Sequence, residues 1–136
     1  MKVTVERVQT FELRNLLGWN AAPDLLAAHE ACLTQSTAIW LGRADGIEAC
    51  AVGVIPLYTF SDKALLWMIH TRICEQHPLL FIRWSRKVLG EVLSLYPVVV
   101  GLCRCDNIGG RQWLSWLGAV FYGDPVRDYV RFSIGG

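Results

Sequence analysis

Val3 and Val5 alternate with Lys2, Thr4 and Glu6 at the start of the chain, a period-two pattern that predicts a half-buried first strand. Thr10 is placed to cap a short helix from Phe11 to about Leu17, and Gly18 and Asn20 to stop it. Pro23 and Asp24 open a second helix, in which Leu25, Ala28, Cys32 and Leu33 recur at helical spacing. His29 lies beside that stripe and reads as an ordinary surface or boundary histidine. Ala38 to Arg43 and Ile47 to Leu57 are apolar and β-branched, and they flank Ala44-Asp45-Gly46, where Asp-Gly supplies the positive φ angles of a tight hairpin turn. Ser61-Asp62 makes a further turn into a strand from Ala64 to Thr71. On it Leu66, Met68 and His70 face one way and Leu65, Trp67 and Ile69 the other, so the strand is apolar on both sides and central.

The segment from His77 to Tyr96 carries the clearest helical period. Phe81, Trp84, Val88, Val92 and Leu95 form its buried stripe, and Arg83, Arg86, Lys87 and Glu91 fall off it toward solvent. Pro78 suits the first turn and Pro97 ends the helix. Val98 begins a strand running to about Cys105, which with the preceding strand and helix makes the pattern of a right-handed parallel crossover. Asp106 or Asn107 caps another helix, Ile108 to Leu117, stopped by Gly118. Strands Ala119 to Tyr122 and Val126 to Ile134 close the chain, joined at Gly123-Asp124-Pro125. Without repeats, low-complexity tracts or linkers, residues 1–136 are expected to form a single domain of the α/β (α+β) class.

Composition narrows the classes of function. Charged residues are only 18% of the chain and apolar residues 53%, with six tryptophans. Two readings stay open: a homo-oligomer or protein partner docked through apolar surface, or a core unusually rich in Leu, Val and Trp. Thirteen Lys and Arg against 12 Asp and Glu give a net charge of +1, which supplies no general attraction to nucleic acid or anionic lipid. Arg83, Arg86 and Lys87 accordingly read as a solvated helix face rather than a phosphate or RNA site. No apolar stretch approaches the roughly 18 residues of a spanning helix, and Met1 to Val8 has no signal-peptide core. A soluble, cytoplasmic protein without membrane attachment is expected.

The five cysteines, Cys32, Cys50, Cys74, Cys103 and Cys105, are odd in number and include no C-x-x-C pair. A disulfide framework is not expected, and reduced, buried thiols fit an intracellular compartment. Cys103 and Cys105 share a strand face, but there is no second Cys pair and no His pair at ligand spacing, so no metal site is predicted. Nor does anything in sequence lower their pKa except Arg104, which points to the opposite face.

The order strand, two helices, three antiparallel strands, helix, strand, helix, two strands resembles that of the GNAT superfamily of acyl-CoA N-acyltransferases. Its members often carry N-x-x-A-x-x-L-Y-x-x-x-G-F after the fifth strand, and the segment Asn107 to Ala119 aligns with it without a gap. Asn107 and Gly118 match; Gly110 stands for the small residue, Trp113 for the Leu, Leu114 for the Tyr and Ala119 for the Phe. More narrowly, Trp67, Thr71, His77-Pro78, Phe81, Arg83, Ser85-Arg86, Tyr96-Pro97 and Asn107 look like the short GNAT-like proteins of tailed bacteriophages, some of which are internal virion or assembly proteins.

The resemblance implies a mixed, twisted sheet of about seven strands with about four helices, whose fourth and fifth strands splay apart to admit a ligand. It implies acetyl-CoA as the acyl donor, its pantetheine arm pairing with backbone groups of Ile69, His70 and Thr71. The pyrophosphate would lie at the N-terminus of the next helix near Arg72, His77 and Arg83, with Asn107 bonding the arm from the other side. The stretch Arg72 to Pro78 lacks the glycines of the family's phosphate loop, and Glu75 opposes an anion there.

For the chemistry, His70 is the candidate base, because an imidazole titrates near about 6.5. The plainer reading of His70 is a hydrogen-bonded core histidine. Glu48 is the second candidate, against an exposed hairpin carboxylate, and Tyr122 or Tyr129 would be an acid on the last hairpin. Leu114 holds the slot where the family often has a Tyr acid, and it has no proton to give. The expected function is acyl transfer to an unidentified amine. The alternative is an inactive GNAT-fold protein with a structural or assembly role, in a phage particle and hence in the host cytoplasm.

Overall fold

The computed structural model describes residues 1–136. Twelve elements follow in chain order: β1 (Val3–Val8), α1 (Arg14–Leu17), α2 (Pro23–Gln35), β2 (Ala38–Ala44), β3 (Ile47–Pro56), β4 (Lys63–His70), α3 (Arg72–Gln76), α4 (Pro78–Leu95), β5 (Val98–Arg104), α5 (Ile108–Trp116), β6 (Val120–Val126) and β7 (Tyr129–Gly135). The seven strands make one mixed sheet in the order β1-β2-β3-β4-β5-β7-β6. The chain divides into two compact units, Met1–Ile55 with Trp67–Trp84, and Pro56–Leu66 with Ser85–Gly136.

In the first unit β1, β2 and β3 form an antiparallel meander. Its tight turn is the predicted one, with Asp45 at φ 50° and Gly46 at φ 81°, the left-handed pair a two-residue hairpin needs. The Asp45 carboxylate also accepts the Lys2 N–H at 2.8 Å, tying the start of β1 to the turn. Strand β2 is buried along both faces from Ala38 to Leu41, which is where its unbroken apolar run is used. Leu13, Leu33, Ile39 and Ile69 form a buried cluster against which Val8, Phe11, Leu26 and Trp67 pack. Each such buried side chain contributes about 2 kcal/mol of apolar burial. The Trp67 indole N–H donates to Ser36 Oγ at 2.7 Å, and Ser36 Oγ–H donates to the Cys32 carbonyl at 2.6 Å. That chain satisfies the indole and closes the C-terminus of α2.

In the second unit β4 and β5 run parallel, paired from Lys63–Val98 to Leu65–Val100, as a crossover through a helix requires. Strand β5 continues against β7, and β7 against the edge strand β6. Val99, Cys103, Val130, Phe132 and Ile134 are buried on one face of this set, and Val92 of α4 and Leu114 of α5 are buried with them in the same unit. Gly101 lies opposite Phe132, and a Cβ there would stand 2.5 Å from the ring and 3.0 Å from the Leu66 carbonyl.

Five departures from the sequence reading have local causes. The last hairpin turns at Arg127-Asp128, with Arg127 at φ 56°, while Gly123-Asp124-Pro125 forms an irregularity inside β6 between Tyr122 and Val126. Thr10 caps nothing: α1 begins at Arg14, and its N-cap position is Leu13. On α2 the inward residues are Leu26 and Leu33, while Leu25 and Ala28 face solvent, because the stripe is set by the cluster and not by the helix alone. Leu95, at the last turn of α4, is 48% exposed. There are five helices and not four, the extra one being α3.

The apolar residues divide between core and surface: Trp40, Leu41, Val54, Val92 and Val99 are buried. Trp19, Phe60, Leu79 and Ile108 all stand exposed. No helix is long and apolar enough to cross a membrane. Gly90 sits exposed in the middle of α4, and a methyl placed there meets nothing within 4 Å. Gly90→Ala is therefore expected to raise stability by about 1 kcal/mol, read as a rise of roughly 3 °C in a thermal melt, by removing glycine's backbone entropy in the unfolded chain.

Candidate functional site

The end of β4 is fixed by one carbonyl. The Thr71 N–H donates to the Ala49 oxygen at 3.0 Å and the Thr71 hydroxyl donates to the same oxygen at 2.7 Å. Antiparallel ladders alternate, so with Thr71 bonded to β3 the backbone groups of Ile69 also face β3, and those of Met68 and His70 point to the opposite edge. Thr71 is engaged in the fold and Ile69 is a core residue, 6% exposed, so of Ile69, His70 and Thr71 only His70 directs its backbone away from β3.

Trp67 stands against Gly53 as Thr71 stands against Ala49, so the same register puts His70 opposite Cys50. Glu48, Cys50 and His70 therefore share one face of the β3–β4 pair. His70 is not a core histidine: its side chain is one-third exposed, with Nε2 3.4 Å from Glu75 Oε1, an ion pair when the imidazole is protonated. Glu48 is not an exposed hairpin carboxylate either. Its side chain is 19% exposed, Oε1 lies 3.9 Å from Arg43 Nη2, and Oε2 is shut off from solvent with no partner. The cause is a register shift between Gly42 and Arg43 that sets Arg43 opposite Glu48, while Arg43 also pairs with Glu6 on β1. A carboxylate oxygen left without a donor costs about 1–3 kcal/mol, a price the fold meets elsewhere.

The segment after β4 is helical where a glycine-rich loop was the family comparison. Cys74 N–H donates to the Thr71 carbonyl and His77 N–H to the Cys74 carbonyl, so these amides close α3 and are not available to an anion. Arg72, His77 and Arg83 are exposed on this stretch. Helix α4 has Pro78 at its start and no acidic residue in its first turn, so the Leu79 and Leu80 amides open it without a competing carboxylate.

Asn107 and Tyr122 belong to the second unit. Asn107 Oδ1 accepts the Gly110 N–H at 3.0 Å as the N-cap of α5, which leaves its amide Nδ2 as the group able to donate. A Cβ on Gly110 would collide with that same side chain, so the small residue at this point serves the cap. Gly118 adopts φ 93°, and the Ala119 N–H returns to the Leu114 carbonyl at 2.9 Å, a glycine-dependent helix stop. Leu114 is buried. Tyr122 lies on the exposed face of β6, opposite Arg131, and Tyr129 lies under the Arg104 guanidinium.

No family model and no curated protein matches the sequence. Solved structures do. An IAA acetyltransferase from Bacillus cereus superposes with a TM-score of 0.75 at 9% identity, covering 99% of this chain and 100% of that one. A Bacillus subtilis acetyltransferase in complex with CoA gives 0.72 at 12% identity, covering 99% of each chain. A GNAT-family protein from Desulfovibrio desulfuricans gives 0.74 at 9% identity, covering 98% and 99%. The fold is that of the GNAT acetyltransferases. The helix-for-loop exchange at α3 and the buried carboxylate Glu48 are features of this GNAT fold that the sequence reading missed; opposite charges at Arg43 and Glu48 on either side of a tight hairpin are the one signal that could have found the second.

Proposed function

We propose that the chain binds an acyl-CoA, with acetyl-CoA the first choice, and transfers its acyl group to an amine. The observation that supports this best is the end-to-end agreement of the fold with acetyltransferases, one of them holding CoA. In this reading the outward backbone groups of Met68 and His70 pair with the pantetheine arm. Arg72, His77 and Arg83 face the phosphates together with the first amides of α4. The amine nitrogen attacks the thioester carbonyl, the C–S bond breaks, and the amine proton passes to His70, which Glu75 orients. Glu48, on the same face, is the second candidate base, and Tyr122 the candidate acid for the departing thiolate. Residues 1–136 act as a single domain in the cytoplasm.

Scanning fluorimetry with acetyl-CoA tests the reading. A melting temperature that climbs with ligand and corresponds to about 2.7 kcal/mol at a hundredfold excess over Kd is the expected result. No shift at millimolar ligand overturns it.

A second reading has its own observation. Helix α3 spends amides that a phosphate loop would offer, and Leu114 offers no proton. Both suit a non-catalytic scaffold that assembles with copies of itself or with a protein partner through apolar surface, as in a phage particle. A concentration-dependent mass in sedimentation, without acetyl-CoA turnover, is the outcome that favours it.

A further inference from the structure

The two edge strands of the sheet differ in kind. Strand β6 carries Pro125 and a break in its pairing between Tyr122 and Val126, devices that stop a further strand from adding beside it. Strand β1 has neither. It pairs with β2 without interruption from Val3–Ala44 to Val8–Ile39 and holds no proline or glycine. Its phase is fixed at the start, where the Lys2 carbonyl accepts the Asp45 N–H at 2.8 Å. Backbone groups alternate along an antiparallel strand. Thr4, Glu6 and Val8 therefore also turn theirs to β2, and Val3, Val5 and Arg7 turn theirs away from the sheet.

Charges usually protect such an edge, because an incoming strand seldom matches them. Those of β1 match a second β1. With a two-fold axis at Thr4 and the strands antiparallel, Lys2 lies opposite Glu6 of the second copy, Val3 opposite Val5, and Thr4 opposite Thr4. Lys2, Thr4 and Glu6 are exposed and share one face of the strand. The Glu6 carboxylate is held by Arg43 of its own chain and stays 55% exposed. Only registers that set outward residues against outward residues can bond, and the other registers lose the match. An axis at Val3 sets Lys2 against Thr4, one at Val5 sets Lys2 against Val8, and one at Glu6 sets two carboxylates together.

We propose that β1 is a homodimerisation edge, at which two copies of the chain pair antiparallel about a two-fold axis at Thr4 and continue one sheet through both. Each Val3–Val5 pair exchanges N–H to C=O bonds between groups that the single chain leaves to solvent. The Lys2–Glu6 pairs on either side select the register and the partner. The dimer uses no apolar face, and it forms whether or not the chain binds CoA.

Sedimentation equilibrium of the intact chain is the first test. A reversible monomer–dimer equilibrium is expected. Lys2→Glu sets a carboxylate against Glu6 at both ends of the ladder and should raise the dissociation constant about tenfold, while the far-UV circular dichroism stays that of the folded chain. Thr4→Cys checks the register. The axis brings these positions to the roughly 4.5 Å Cα separation of a non-hydrogen-bonded pair, within reach of a disulfide. Mild oxidation should then give a covalent dimer linked through position 4, which the wild-type chain cannot form. A single-chain mass at every concentration, a dimer that Lys2→Glu leaves as tight as before, or a Thr4→Cys chain that forms no link at position 4 overturns the proposal.

Discussion

Gly53→Val is expected to destabilise the fold by about 3 kcal/mol, seen as a lower midpoint in urea with an unchanged slope and a drop of roughly 10 °C in melting temperature. A Cβ on Gly53 would fall inside the Trp67 indole, touching three of its ring atoms. The ring cannot retreat freely. It is packed against Leu13, Leu33, Ile39 and Ile69, and its N–H is anchored to Ser36 at 2.7 Å. Valine therefore either pushes the indole off its anchor, leaving a half-buried donor unpaired, or forces β3 and β4 apart. Gly53→Ala places only the first carbon of that clash and should show a smaller loss of the same sign. An unchanged midpoint for the valine variant would mean that Trp67 has another place to go.

The second large effect is on chemistry and rests on the proposed acyl transfer. His70→Gln is expected to lower kcat by about a hundredfold while changing KM for acetyl-CoA only a few-fold, since glutamine keeps the backbone of β4 and a polar side chain but cannot take a proton. Glu75→Gln, which replaces the carboxylate 3.4 Å from His70 Nε2 with a neutral amide, should lower kcat less than His70→Gln does and leave turnover measurable, as befits a positioning residue. If His70→Gln leaves kcat intact, the base is elsewhere. Glu48, with its unpartnered oxygen on the same face, becomes the next residue to replace.

Much of the architecture was legible because it is written in short-range patterns. The Asp45-Gly46 turn, the α4 stripe from Phe81 to Val92, the Asn107 cap and the Gly118 stop each depend on residues within a few positions of one another, and each is found in the structure. The order of elements, and with it the GNAT resemblance, follows from those. The last hairpin was misread for the same reason. Gly123-Asp124-Pro125 is the strongest local turn signal there, yet pairing of β6 with β7 beyond it carries the strand on to Val126.

The site was less legible, because its features depend on partners far away in the chain. Whether Glu48 is exposed depends on a bulge at Gly42 and on Arg43. Which backbone groups of β4 face outward depends on the register that one carbonyl, Ala49, imposes on Thr71. That Cys74 Sγ lies 3.5 Å from the Ala49 carbonyl depends on α3 folding back on β3.

By itself, then, the order of residues determined most of the segments that become strands and helices, where the Asp45-Gly46 turn lies, and that the elements run in the GNAT order. Periodicity and φ preferences act over a few residues and need no partner. Tertiary structure alone decided the register of β3 on β4, the burial of Glu48, the exposure of His70 and the seating of Cys74 against the Ala49 carbonyl. These are pairings between positions distant in sequence, and their energies exist only once the chain has closed the loops between them.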